Sequence, residues 1–123
     1  MKKILAVDDD HDLLFTLRNV IENLEEDYEI TTVDSGIKCL ELLHNETPDL
    51  ILLDIMIPDI NGWDLFTQIR KTNKLRNIPI IFISAVGDKT SIFTAKSMAD
   101  DFIGKPFTPF ELKETIKKIF QEL

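Results

Sequence analysis

Five polar residues follow short apolar runs that lie far apart along the chain. Asp8 and Asp9 follow the first run, Asp54 the third, Ser84 the fourth and Lys105 the last. One aspartate at the end of a strand is commonly a helix cap or a turn residue. Polar groups after four of five such runs are much harder to explain as turns alone, and they predict a functional site.

The chemistry of this set follows from its charges. Three carboxylates packed together repel one another unless a cation lies between them. Mg²⁺ suits such a site because it binds one or two carboxylates, keeps several waters and often holds a phosphate; Mn²⁺ is the alternative ion. A carboxylate can then attack phosphorus to give an acyl phosphate. Lys105 would place a positive charge on one phosphoryl oxygen, and the Ser84 hydroxyl would donate to another.

The elements that must position these residues alternate along the chain. Apolar runs predict strands at about residues 4–7, 28–33, 50–53, 80–83 and 101–104. Helical periodicity predicts helices at about 13–24, 37–43, 62–71 and 89–98, and from Pro109 onward, where Thr108 and Glu111 form a capping box. Strict alternation of strand and helix implies parallel strands with helices on both faces of the sheet.

The burial pattern of the strands predicts their order. Strands 1, 3 and 4 are continuously apolar, as strands buried on both faces should be, whereas strand 2 alternates and strand 5 is short. Strands 2 and 5 are therefore the expected edges. This selects the order 2-1-3-4-5 of a flavodoxin-like, doubly wound (βα)5 fold, in which ligands bind at the carboxyl ends of the strands.

Length and composition exclude several classes of protein. The 123 residues fit one domain spanning residues 1–123, and the net charge of −8 argues against direct binding of nucleic acid or anionic membranes. No apolar run approaches the about 20 residues needed for membrane insertion.

The single cysteine, Cys39, is expected to be a buried apolar residue, and a cytoplasmic location is expected. Two basic clusters are interpreted as solvated helix ends: Arg70, Lys71, Lys74 and Arg76, and Lys113, Lys117 and Lys118.

Four stretches together resemble one family. They are ILAVDDD at residues 4–10, DLILLDIMIPDING at 49–62, IIFISA at 80–85 and ADDFIGKPF at 99–107. In this order, the stretches resemble the receiver domains of two-component response regulators over essentially the whole chain. The resemblance leaves open whether the domain stands alone or belongs to a longer regulator.

The resemblance implies a role for each site residue. Asp54 matches the phospho-accepting aspartate. Asp9 and Asp54 match the direct metal ligands, together with the backbone carbonyl of Met56, while Asp8 matches a residue that acts mainly through metal-bound water. Lys105 matches the invariant lysine of the family, and its bond to Pro106 is expected to be cis.

The resemblance also implies a switch. Ser84 matches the switch hydroxyl, where threonine is commoner, and Phe102 matches the aromatic switch position, where tyrosine is frequent. The expected donor is a sensor histidine kinase or a phosphotransfer protein. Phosphorylation would change the face formed by the predicted fourth helix, the fifth strand and the last helix, which would bind a downstream protein or a second copy.

Some positions depart from the family pattern. Met98 stands where the family usually has glycine. Met56 and Val86 cannot hold an attacking water, so the resemblance implies a long-lived phosphoryl group. Beyond self-phosphorylation and slow self-dephosphorylation, no enzymatic activity is expected.

Two other functions stay open at this point. The DxD pair of Asp8 and Asp10 is typical of metal-dependent phosphohydrolases that use an aspartyl-phosphate, but that interpretation leaves Asp54 without a role. The chain also lacks the length for their cap and extra strands. The other alternative is a pseudo-receiver that acts as an interaction module without phosphorylation, although the acidic set, the hydroxyl and the lysine are all present.

Overall fold

Five parallel strands form one sheet. The computed structural model describes residues 1–24, 27–85 and 100–121. The strands are β1 (Lys2–Val7), β2 (Tyr28–Val33), β3 (Leu50–Asp54), β4 (Ile80–Ser84) and β5 (Asp101–Gly104). Their order is β2-β1-β3-β4-β5, which confirms the predicted flavodoxin-like topology. Every residue of β3 and β4 is buried, whereas the edge strands β2 and β5 are only partly buried.

The strand register brings the predicted site residues to one edge of the sheet. Asp54 pairs with Ile83, and Ser84 pairs with Gly104. Lys105 therefore leaves β5 beside the end of β4. Because parallel strands all end at the same edge, the last residues of the inner strands and of β5 lie close together there.

Four helices are described: α1 (His11–Glu22), α2 (Gly36–Asn45), α3 (Gly62–Lys71) and the C-terminal helix (Pro109–Gln121). The helix predicted at about 89–98 lies outside the described residues, as do Val86 and Met98. Within the described ranges, no helix combines the length and apolar character that crossing a bilayer requires.

Side-chain caps define where the helices begin. The carboxylate of Asp10 accepts a hydrogen bond from the Leu13 backbone N–H, so the third of three consecutive aspartates starts α1. The predicted cap at Thr108 is confirmed, because its Oγ1 accepts from the Glu111 backbone N–H at 3.1 Å. The same hydroxyl donates to Glu111 Oε1 at 3.3 Å, whereas in the predicted capping box the Glu111 side chain would accept from the Thr108 backbone N–H.

Apolar layers cover both faces of the sheet. The layer under α2 and α3 includes Phe82, whose ring contacts those of Trp63 and Phe66 at centroid distances of 4.9 and 5.5 Å. The other layer packs α1 and the C-terminal helix on the opposite face. Cys39 lies in the first layer and is buried, as predicted. Burial raises the pKa of its thiol to about 12, which keeps it neutral at physiological pH.

A close backbone contact holds the loop after β3 against the sheet. The N–H of Gly62 donates to the carbonyl of Ile55 at 2.9 Å. A Cβ atom on Gly62 would lie 2.5 Å from Ile55 Cα and 2.6 Å from the Asp54 carbonyl oxygen. Only glycine fits this approach, so Gly62 fixes both the start of α3 and the path of the chain that leaves Asp54.

We expect Gly62→Ala to destabilise the fold. Alanine is favoured over glycine within helices by about 1 kcal/mol, but here its methyl group overlaps backbone atoms, which cannot rotate away. The net loss in free energy of unfolding should be about 1–3 kcal/mol, measured by urea unfolding.

Gly104→Ala is the matched control. The nearest atom to a Cβ added there is Phe102 Cε1 at 3.8 Å, an ordinary van der Waals contact. This variant should change the free energy of unfolding by less than about 0.5 kcal/mol. Equal stabilities of the two variants would show that the Gly62 contact does not constrain the loop.

Candidate functional site

Three carboxylates converge at the carboxyl edge of the sheet. Asp8, Asp9 and Asp54 each offer one carboxylate oxygen, and these three atoms all lie within 4.8 Å of one another. Asp8 and Asp54 are buried, whereas Asp9 is exposed. Closely spaced oxygens of this kind fit a hard divalent cation such as Mg²⁺, and they would repel one another without a positive charge among them.

Asp8 is held by hydrogen bonds on both of its oxygens. Oδ1 accepts from the backbone N–H of Asp10 at 2.9 Å, and Oδ2 accepts from Lys105 Nζ at 2.8 Å. Burial raises the pKa of Asp8, although both hydrogen bonds and the nearby ammonium oppose that rise. Each oxygen keeps a further lone pair, so these hydrogen bonds orient the Asp8 carboxylate within the acidic set.

Lys105 supplies the positive charge of the site. Its Nζ lies 2.8 Å from Asp8 Oδ2 and 3.5 Å from Asp54 Oδ2. Burial alone would lower the pKa of this lysine, but the hydrogen bond to Asp8 and the negative charges of Asp54 and Asp8 outweigh burial and raise it. Lys105 is therefore cationic at neutral pH. The peptide bond between Lys105 and Pro106 is cis, as expected.

Asp54 ends β3 with its two oxygens in different surroundings. Oδ1 accepts a hydrogen bond from the Met56 backbone N–H at 3.1 Å, while Oδ2 faces Lys105. The backbone of Met56 is thus part of the site, and its side chain is 66% exposed. This geometry orients the Asp54 carboxylate without using all of its capacity to accept hydrogen bonds.

Ser84 and Phe102 occupy different positions relative to the acidic set. Ser84 ends β4, is buried, and its carbonyl oxygen accepts from the Lys105 backbone N–H at 3.0 Å. Phe102 pairs with Phe82 across β4 and β5 and packs, half-buried, against the layer under α2 and α3. The structure therefore places Ser84 at the edge with Lys105, and Phe102 two residues before the end of β5.

Asp59 has a structural role that the sequence did not reveal. Its carboxylate accepts hydrogen bonds from the backbone N–H groups of Gly36 and Ile37, at 3.0 and 2.9 Å. These hydrogen bonds lower the pKa of Asp59. The loop that follows Asp54 is therefore tied to the start of α2. An aspartate in that loop was the only signal in the sequence, and it did not identify the partner.

Comparison with known proteins decides the family. The family model described as response regulator receiver domain matches residues 4–117. The chain belongs to this family. This receiver domain is 36% identical over 123 residues to the protein named probable transcriptional regulator ycf27 of Galdieria sulphuraria, a match that covers 99% of this chain and 46% of that protein. It is 34% identical over 124 residues to response regulator SaeR of Staphylococcus aureus strain USA300, covering 100% of this chain and 52% of SaeR.

Solved structures agree with the sequence relatives. A two-component response regulator from Clostridium difficile has a TM-score of 0.87 and 29% identity, covering 98% of this chain and 97% of the other. The receiver domain spans about half the length of the curated relatives it matches. The family resemblance stated from the four sequence stretches is confirmed, and with it the functional class, two-component signal transduction.

Removing the charge of Lys105 should destabilise the receiver domain when divalent ions are absent. Lys105→Met leaves the buried Asp8 carboxylate without its cation. Loss of one partner from a fully buried pair costs about 3–5 kcal/mol. We expect roughly 2 kcal/mol here because the lysine side chain is 21% exposed. Chemical denaturation in a chelating buffer measures the effect.

Lys118→Met, on the exposed side of the C-terminal helix, is the matched control. It should change the free energy of unfolding by less than about 0.5 kcal/mol. If Lys105→Met were as stable as this control, the ammonium would not be offsetting carboxylate repulsion.

Proposed function

We propose that this receiver domain is a switch that accepts a phosphoryl group on Asp54 in a Mg²⁺-dependent reaction. The observation that carries the proposal is the position of the buried Asp54 carboxylate, which lies beside two further carboxylates and 3.5 Å from an ammonium group. A carboxylate that only capped a helix would need neither a second buried acid nor a lysine paired to both.

The residues present fit a divalent ion. Asp9 and Asp54 would hold Mg²⁺ together with the backbone carbonyl of Met56, and Asp8 would act through water. Mn²⁺ prefers the same oxygen ligands. When bound, the ion neutralises charge on the phosphoryl oxygens and offsets the repulsion between the carboxylates.

The transfer step uses groups that the fold already holds in place. An Asp54 carboxylate oxygen attacks phosphorus, and a P–O bond forms to give an acyl phosphate. The bond from phosphorus to the donor breaks, and the leaving atom takes the electron pair. That atom is the imidazole nitrogen of a phosphohistidine donor or the acetate oxygen of acetyl phosphate. Lys105 pairs with one phosphoryl oxygen, and the hydroxyl of Ser84 donates to another. Positioning and electrostatic stabilisation therefore account for the catalysis.

The proposed conformational response to phosphorylation involves β5. Phosphorylation adds about −1.5 to −2 charges and new acceptor oxygens. Ser84 would move toward them and Phe102 would turn inward. Support comes from the pairing of Ser84 with Gly104, which joins the hydroxyl-bearing end of β4 to the strand that carries Phe102. The face formed by the predicted fourth helix, β5 and the C-terminal helix would then change and bind a downstream protein or a second copy.

Exposed apolar side chains support a protein as the phosphoryl donor. Phe15, Met56 and Phe110 are 66%, 66% and 69% exposed. Each lies on a segment that leaves the acidic site: α1, the loop after β3 and the start of the C-terminal helix. A contiguous apolar patch formed by such side chains would be typical of a protein docking surface. A sensor histidine kinase or a phosphotransfer protein fits this arrangement.

The alternatives explain less of the structure. In the phosphohydrolase interpretation Asp10 would take part in catalysis, yet its side chain caps α1. A pseudo-receiver would have no use for a lysine paired with both Asp8 and Asp54. We therefore propose no turnover of external substrates beyond self-phosphorylation and slow self-dephosphorylation.

Phosphorylation of Asp54 can be measured by intact mass. With Mg²⁺ and acetyl phosphate, the wild type should gain one phosphoryl group that is stable in acid and labile in base. Asp54→Asn should gain none, because an amide oxygen is too weak a nucleophile. Asp64→Asn, which changes an exposed carboxylate in the first turn of α3, should behave as the wild type does.

A phosphohistidine-containing phosphotransfer protein serves as a second donor in the same assay. If neither donor modified a folded, Mg²⁺-binding wild type, the phosphorylation proposal would be wrong and the pseudo-receiver interpretation would replace it. Modification of Asp54→Asn to the wild-type extent would instead place the acceptor elsewhere.

The lifetime of the phosphoryl group tests the role of Met56. Its thioether cannot orient an attacking water, so the modified protein should outlast the seconds timescale. Met56→Asn supplies groups that bind water and should shorten the lifetime roughly tenfold, less than the about 10²–10⁴-fold of a positioned general acid or base, because an amide orients water but takes no proton. Ile37→Asn is the control, because Ile37 is also an exposed apolar residue but lies at the start of α2. Loss of the wild-type signal within seconds would contradict the prediction.

A further inference from the structure

A second surface feature lies away from the acidic site. A groove of about 360 Å³ runs between the C-terminal halves of α2 and α3. Its floor is apolar and is formed by the buried residues Leu43, Ile69 and Leu75. Its rim carries the exposed side chains of His44, Lys71 and Lys74. The feature is therefore an apolar groove with polar and cationic side chains at its rim.

The groove is basic in a chain whose net charge is −8. None of the residues that line it is acidic. Within the described part of the chain, neither Lys71 nor Lys74 forms an ion pair, whereas the neighbouring Arg70 pairs with Asp100 at 3.1 Å. Charges farther away than about 8 Å are largely screened at physiological ionic strength. The residues that line the groove therefore carry a net positive charge, although the whole chain is negative.

One contact holds the rim in shape. Lys74 Nζ donates to the backbone carbonyl of His44 at 3.1 Å and joins the loop after α3 to the end of α2. This hydrogen bond links the two sides of the groove at its rim.

We propose that this groove binds an acidic amphipathic helix of a partner protein. Two roughly side-by-side helices present a trough into which a third helix packs, with anchors spaced at i, i+3 or i+4 and i+7. Apolar anchors would cover the floor, while aspartate or glutamate side chains beside them would pair with Lys71 and Lys74. The same rim would repel a basic helix, which gives the groove its specificity.

Binding at the groove leaves the acidic site accessible. Both helices begin at the acidic edge, where Asp59 holds the start of α2 and Gly62 holds the start of α3 against Ile55. The groove lies at their other ends. The inference is therefore independent of phosphorylation, and Asp54→Asn should bind the same helix as the wild type does.

The test uses a synthetic helical peptide and amide chemical shifts from NMR. The probe has about 15 residues, with leucine at the anchor positions and glutamate beside them. Saturable shifts are expected at residues 40–45 and 68–75. Two matched peptides serve as controls: one carries lysine in place of glutamate, and the other carries glutamine in place of leucine. Neither should produce saturable shifts at these residues.

Charge-reversal variants locate the site. Lys71→Glu combined with Lys74→Glu should weaken binding by about tenfold or more, because both rim charges change sign. Lys71→Glu alone, which preserves the contact between Lys74 and His44, should weaken it in the same direction. Lys113→Glu combined with Lys118→Glu, on the C-terminal helix, should change the affinity less than about twofold. Thermal unfolding confirms that each variant is folded.

Several results would overturn the proposal. They are the absence of saturable shifts at about 1 mM glutamate peptide, shifts centred on other residues, and equal binding of the lysine peptide. Self-association of the wild type that Lys71→Glu abolishes would assign the groove to a second copy of the chain rather than to a partner helix.

Discussion

Repulsion among three carboxylates is the constraint on which the rest of this structure depends. Two of them are buried, and their oxygens lie within 4.8 Å of each other and of a third. Within the described part of the site, Lys105 is the only cation paired with these carboxylates. The strand ends, the Gly62 contact and the caps all hold these groups at distances that they would not adopt by themselves. The free energy of the apolar layers keeps the site in this arrangement.

Three consecutive aspartates have three different roles in the structure. Asp8 points into the site and bonds to Lys105, Asp9 stays at its exposed rim, and Asp10 caps α1. Shifting the chain by one residue would exchange these roles and bury the wrong carboxylate. The parallel register of β1 with β2 and β3, together with the cap at Asp10, prevents such a slip.

Much of this could be predicted because the signals were local. Apolar runs predicted the strands, and the expected burial of each strand predicted which two form the edges of the sheet. Polar residues after the runs predicted the site. What the sequence could not predict depends on partners far apart in the chain. Asp59 bonds to α2 across 22 and 23 residues, and Asp100 reaches Arg70 across 30. The groove depends on distant partners in the same way: Lys71 and Lys74 are exposed, as predicted, but only the fold brings them beside the end of α2.

The pairing of Lys105 with Asp8 joins residues 97 positions apart. During synthesis, the amino-terminal strands leave the ribosome long before the lysine does. A nascent chain therefore carries the acidic residues without their counter-charge, and the strand that presents the lysine must dock before the site is electrically balanced. A chain that ends before Lys105, or in which β5 has not docked beside β4, therefore has an incomplete site.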